Sequence, residues 1–204
     1  MDAIAVPIPM DNNSPLPSPD EVLYWKLKEK RAYWIDFEID ESYDLLTLAK
    51  ELIRLNIEEA GVMEPQPVTL YIHSYGGDLD QAQFFCDLVE SSHVPIITVA
   101  AGVAMSAGLL IFLSGKRRYA FKHSQLLMHK GSAAFSGTAD EIKAAQESYE
   151  RKLVKMEKYI LSHTSIDKKL FDRKKSKDWY VSGDELLSLG ITDKIIDKFS
   201  DIQL

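Results

Sequence analysis

The longest apolar run in the chain, Val94 to Leu113, is interrupted by Pro95, Gly102, Ser106 and Gly108. A membrane-spanning helix wants ~20 apolar residues without such punctuation. The run therefore predicts buried structure in two pieces, a strand over Pro95 to Val103 and a short apolar helix over Ser106 to Leu113. Covering both takes a substantial core. A chain of 204 residues with 46% apolar and 27% charged residues supplies one, and the length favours a single domain.

The rest of the chain alternates strand-like and helix-like segments around this run. Ala32 to Ile39 reads as a strand, and Leu45, Leu48, Ala49, Leu52 and Ile53 recur at helical spacing up to Gly61. Val68 to His73 is a second strand running into Ser74-Tyr75-Gly76-Gly77, and Leu79, Ala82, Phe85, Cys86 and Val89 line a helical face. Short strands follow at Arg118 to Ala120 and Gln125 to Met128. A long polar helix carries Ile142, Ala145, Tyr149, Leu153, Met156 and Ile160 as a stripe. Ser182 and Glu185 suggest a capping box for a helix ended by Gly190, and Lys194 to Ile196 a last strand. The pattern is an α/β domain over residues 21–204. Residues 1–20 stand apart, with Pro7, Pro9, Pro15, Pro17 and Pro19 among Asn12, Asn13 and Ser14, and read as a flexible arm.

Composition removes several functions. Lys plus Arg total 24 against 31 Asp plus Glu, a net charge of −7 with a pI near 5.3. That opposes nucleic-acid binding, which needs a cationic face. The cluster Lys168, Lys169, Arg173, Lys174, Lys175 and Lys177 reads as a solvated basic face. The single Cys86 forms no internal disulfide and no metal-binding pair, and no HExxH, EF-hand or nucleotide-binding loop can be written. No metal and no cofactor are expected. Neither a signal sequence nor a transit segment opens the chain, so the expected setting is the cytoplasm, without a membrane.

Two strand-to-helix junctions can carry chemistry. Gly76-Gly77 lets the backbone approach another group closely with its N–H groups turned outward, or is simply a tight turn. Gly102-Val103-Ala104-Met105-Ser106-Ala107-Gly108 can expose a serine with the next N–H aimed at an oxyanion, or form a small-residue packing seam. Among the five histidines, His129 closes an apolar strand beside Gly131, a position suited to a general base; His73, His93, His123 and His163 read as structural or surface residues. Asp178, just before Trp179-Tyr180-Val181, can orient that base or be an ordinary surface carboxylate.

Together these segments resemble the proteolytic subunit of the ATP-dependent Clp protease, from about Leu23 to Ile196. Ser74-Tyr75-Gly76-Gly77 is similar to the family's Ser-Pro-Gly-Gly turn, and Gly102, Ala104, Ser106 and Gly108 match its nucleophile segment. Leu127-Met128-His129 matches its histidine segment, and Asp178 precedes an aromatic-x-Ser motif as the family's aspartate does. Intervals of 29, 23 and 49 residues separate Gly77, Ser106, His129 and Asp178; the second is slightly short of the family's. The resemblance implies a crotonase-like superhelix with a protruding handle, supplied here by the helix around Ile142 to Ile160. It implies a serine endopeptidase with Ser106, His129 and Asp178 as triad and the N–H groups of Gly77 and Ala107 as oxyanion hole. It also implies heptameric rings stacked as a tetradecamer, an AAA+ unfoldase partner and unfolded polypeptides as substrates.

Four departures from the family pattern stand out. Tyr75 replaces a proline, Met105 and Ala107 alter the residues flanking the serine, and Lys130-Gly131 follows the histidine in place of Gln-Pro. At the expected unfoldase pocket Tyr71 is retained, but Thr69 and Ser91 stand where aromatics are expected, so that pocket is altered. Two alternatives share the architecture: a non-catalytic regulatory ring subunit, and an acyl-CoA enzyme of the crotonase type, which would not need this triad.

Overall fold

The computed structural model describes residues 16–41 and 43–203. Most of the expected N-terminal arm, residues 1–15, lies outside the described residues. Its last residues belong to a helix, α1 (Pro19–Glu29). Ser18 caps α1: its hydroxyl accepts the Glu21 N–H at 3.2 Å, and the Glu21 carboxylate accepts the Ser18 N–H at 2.7 Å. This helix is absent from the expected elements, although Ser18-Pro19-Asp20-Glu21 carries a capping box with proline at the first helical position.

Five strands run parallel in the order β1 (Ala32–Ile35), β2 (Val68–Ser74), β3 (Ile96–Met105), β4 (Arg117–Phe121) and β7 (Lys194–Ile196). On β2, Val68, Leu70, Ile72 and Ser74 are buried, while Thr69, Tyr71 and His73 face the other side. The buried side packs on α2 (Tyr43–Glu58) and α3 (Leu79–Glu90) through Leu45, Leu48, Leu52, Ala82, Phe85 and Val89. The opposite side carries a smaller cluster of Ile97, Val99, Tyr119 and Ile196. There Trp34 stacks on Tyr71 with ring centroids 5.2 Å apart.

Strand β3 is the pivot. Its first half pairs with β4 (Ile97↔Arg117 to Ala100↔Ala120), and its second half with β5 (Gln125–Met128), from Val103↔Gln125 to Met105↔Leu127. The switch occurs at Gly102, whose φ of 111° suits glycine and whose N–H donates to Ser124 Oγ at 3.2 Å. A Cβ there would lie 2.6 Å from His73 Nδ1. Beyond β3, every residue of α4 (Ala107–Leu113) is buried. Burying its Leu, Ile and Phe side chains contributes roughly 1.5–3 kcal/mol each, which anchors the junction at Ser106.

The remaining elements frame that junction. Strand β6 (Trp179–Ser182) pairs antiparallel with β5, and α5 (Ala139–His163) rises from the body. Its first turns are exposed, whereas Leu153, Met156 and Tyr159 are half-buried and Ile160 is buried. α6 (Lys168–Lys174) and α7 (Asp184–Ser188) close the chain, followed by a short 3₁₀ turn at Phe199–Asp201. The expected capping box at Ser182 and Glu185 is not formed. Ser182 is the last residue of β6, paired with Gln125, and Gly183 at φ 56° makes the turn into α7. The first strand is also shorter than expected, because after Ile35 the chain leaves the ladder and rejoins it only at Ile39, opposite Gly77.

Candidate active site

Ser106 sits where β3 becomes α4. Its φ of 52° and ψ of −121° are strained for a residue with a Cβ, a cost of order 1–3 kcal/mol. Backbone bonds hold it there: its N–H donates to Leu127 O at 3.0 Å, and its carbonyl accepts the Leu109 N–H at 3.0 Å. The sharp turn lifts Oγ out of the sheet, as a nucleophile elbow does.

The Gly76-Gly77 loop crosses in front of this turn, pinned by Ile39. The Ile39 N–H donates to Gly76 O at 2.8 Å, and its carbonyl accepts the Asp78 N–H. A Cβ on Gly77 would lie 2.1 Å from Ile39 O, and one on Gly76 would lie 2.8 Å from Ser106 Cβ. Both glycines have positive φ, 107° and 146°. The Gly76 N–H is engaged by Ser74 Oγ at 3.2 Å, which leaves Gly77 as the candidate amide donor of this loop. The Ala107 N–H, in the first turn of α4, is one of the amides a helix leaves without an internal partner. Both Gly77 and Ala107 line the cleft beside Ser106.

His129 follows β5, and Asp178 precedes β6. Because Met128 is the register partner of Trp179, the antiparallel pairing sets His129 opposite Asp178 across two strand ends. His129 Nε2 lies 2.8 Å from Ser106 Oγ. His129 Nδ1 is 3.6 Å from Asp178 Oδ1, longer than a hydrogen bond, and the Asp178 side chain is 57% exposed. The three residues singled out in the sequence thus converge, with the serine–histidine contact closed and the histidine–aspartate contact open.

Three of the other histidines make contacts elsewhere. His73 Nδ1 is 2.7 Å from Ala101 O, His93 Nε2 is 2.7 Å from Val62 O, and His163 contacts Tyr159 O at 2.8 Å and Glu90 at 3.2 Å. Burial pushes the Cys86 thiol up to about 12, so it supplies no competing thiolate. Two of the six cations in the basic cluster are paired: Lys168 and Lys175 each contact Glu157 of α5 and Asp172. Among the described residues no group of three or more His, Cys, Asp or Glu is placed to hold a metal, and no helix is long and apolar enough to cross a membrane.

In front of Ser106 and His129 lies a cleft of about 470 Å³ between the glycine loop, the start of α3 and the middle of α5. Several of its residues carry no local sequence signal. Tyr149 donates its hydroxyl to Lys130 O at 3.2 Å and meets the Phe135 ring at 5.9 Å, laying residues 130–135 along the handle. Lys152 of α5 pairs with Asp80 of α3 across 72 residues of sequence.

Comparison with known proteins gives this geometry a family. The Clp protease family model matches residues 22–199. The chain belongs to the Clp protease family. It is similar to ATP-dependent Clp protease proteolytic subunit 2 of Treponema pallidum (strain Nichols), with 24% identity over 187 residues, 91% of this chain and 92% of that protein. The same-named subunit of Treponema denticola is 26% identical over 185 residues, 90% of each chain. Proteolytic subunit 3 of Rhodococcus jostii is 27% identical over 184 residues, 89% of each. A solved structure of a ClpP1 mutant from Listeria monocytogenes superposes with a TM-score of 0.76, covering 89% of this chain and 99% of that one at 21% identity. The fold is therefore the crotonase-like α/β superhelix of the Clp proteolytic subunits, with α5 as its handle.

Proposed function

We propose that this chain is a catalytic proteolytic subunit, a serine endopeptidase that cleaves unfolded polypeptides to short peptides inside a ring assembly. The 2.8 Å contact between His129 Nε2 and Ser106 Oγ, on a serine held at φ 52° beside the Gly76-Gly77 loop, carries this reading. His129 Nε2 accepts the Ser106 proton as Oγ attacks the scissile carbonyl. The N–H groups of Gly77 and Ala107 receive the oxyanion, and His129 returns the proton to the leaving amine. Water then hydrolyses the acyl-enzyme, with His129 again as base. Asp178 accepts the His129 Nδ1 proton in a hydrogen bond once the pair closes from 3.6 Å.

The open Asp178 contact favours one further element, namely alignment of the aspartate by a neighbouring subunit in stacked heptameric rings. The same openness is what a non-catalytic regulatory subunit would show, so activity separates the two. Substrate delivery falls to an AAA+ unfoldase. Trp34, stacked on Tyr71 and 41% exposed, supplies aromatic surface on the strand next to that of Thr69. Ser106→Ala is expected to lower turnover of short fluorogenic peptides by ~10⁶ while leaving the assembly unchanged in sedimentation. Undiminished turnover in that variant would end the endopeptidase reading.

A further inference from the structure

The cleft in front of Ser106 is not uniformly apolar. Leu79 and Met156 give it an apolar floor, but Asp80 and Lys152 stand in the same wall and pair with each other. Asp80 belongs to the first turn of α3 and Lys152 to the middle of α5, so the pair ties the body to the handle beside the nucleophile. Both side chains are partly open to solvent, 55% for Asp80 and 34% for Lys152. Each keeps unused capacity. The ammonium has three N–H donors and the carboxylate two oxygens, and the pair consumes only part of them.

We propose that the Asp80–Lys152 pair is the specificity determinant of this cleft, selecting an uncharged side chain with hydrogen-bonding capacity, such as glutamine, at the residue on the acyl side of the scissile bond. This rests on the peptidase reading of Ser106 and His129. A carboxamide offers an N–H to Asp80 and a carbonyl to Lys152 without breaking the pair. A lysine or arginine side chain can reach Asp80 only in competition with Lys152, and a glutamate can reach Lys152 only in competition with Asp80. A leucine fills the floor formed by Leu79 and Met156 but makes no hydrogen bond to the Asp80–Lys152 wall, and it displaces water from the open polar atoms of that pair without replacing it. Cancelling the pair's charges one at a time should therefore convert the site to either sign.

The experiment is a panel of fluorogenic peptides differing only in that residue, with Gln, Leu, Lys and Glu, measured as kcat/KM ratios within one preparation so that active fraction cancels. The intact chain is expected to favour Gln over Lys and Glu by about fivefold or more, the factor that ~1 kcal/mol of partly exposed ion pairing supplies. Lys152→Ala should raise the Lys:Glu ratio by a similar factor, Asp80→Ala should lower it, and the exchanged pair Asp80→Lys with Lys152→Asp should return it towards the starting value. Lys:Glu ratios that do not respond to either single variant would overturn the inference while leaving the peptidase reading in place. No cleavage of any peptide by the intact chain, with no fluorophosphonate adduct on Ser106, would overturn the peptidase reading and this inference with it.

Discussion

Replacing Gly76 with alanine tests how tightly the glycine loop abuts the nucleophile. At φ 107° the new residue is conformationally strained, and its Cβ would lie 2.7 Å from Met105 O, 2.8 Å from Ser106 Cβ and 3.1 Å from Ala107 N. Carbon atoms stop repelling at about 3.5 Å, so the loop and the serine must part by roughly 0.7 Å. Neither neighbour is a flexible side-chain end: Ser106 is fixed by its bonds to Leu127 and Leu109, and the loop by Ile39. At about 10²-fold per ångström of misplacement, that displacement lowers kcat/KM by about 25-fold, close to 2 kcal/mol of transition-state stabilisation. Strain costs a further ~1–3 kcal/mol of folding stability, a fall in Tm of roughly 2–4 °C per kcal/mol for a chain of this size. The assay is peptide hydrolysis beside thermal unfolding, with Gly61→Ala as control because its Cβ would meet nothing within 4 Å. A Gly76→Ala enzyme with kcat/KM equal to that of Gly61→Ala would refute the argument that this loop shapes the site.

Assembly and pH give two further tests. Because Asp178 is 3.6 Å from His129 and exposed, peptidase activity should follow the stacked-ring fraction in sedimentation, and Ile142→Glu on the exposed part of α5 should lower both together; full activity in an isolated subunit would contradict it. Met156 is a poorer site for that test, since it lines the cleft and packs against the core, so a charge there would damage the site directly. Glu51 is buried and accepts hydrogen bonds from Arg54 first of all, then from Lys28 and Tyr33, which hold its carboxyl at about 2 against an ordinary 4.5. A depressed carboxyl stabilises the fold above its unfolded value and loses that contribution as pH falls from about 4.5 towards 2. The Tm deficit of Glu51→Gln should thus correspond to about 1–3 kcal/mol near neutral pH, discounted for the partly exposed Arg54 and Lys28, shrink steadily below pH 4.5 and close only as pH reaches about 2; a deficit that does not shrink between pH 4.5 and 2 would refute the assignment.

The sequence made the site legible where chemistry demands small residues in order. Gly76, Gly77, Gly102 and Ser106 mark backbone turns that few other residues tolerate, and His129 and Asp178 fall at strand ends whose apolar flanks are evident. Helix α1 carried a readable cap at Ser18 and Glu21, but its weak apolar face, with none of its residues buried, hid it among the prolines. The Ser182 and Glu185 pattern misled because strand pairing with Gln125 claimed Ser182 first. Ile39 as the clamp on the glycine loop, and Asp80 with Lys152 on the cleft wall, left no local trace. Each depends on residues brought together from distant segments, and periodicity reports only neighbours on one element.

The central claim is that His129 activates Ser106 as a nucleophile. Fluorophosphonate labelling followed by peptide mass mapping tests it on the assembled chain. The geometry predicts one adduct per chain, on Ser106, with the labelling rate falling steeply in His129→Ala, whose serine has lost the base 2.8 Å away. An unlabelled Ser106 in the assembled chain, or labelling that proceeds at an unchanged rate without His129, would contradict it.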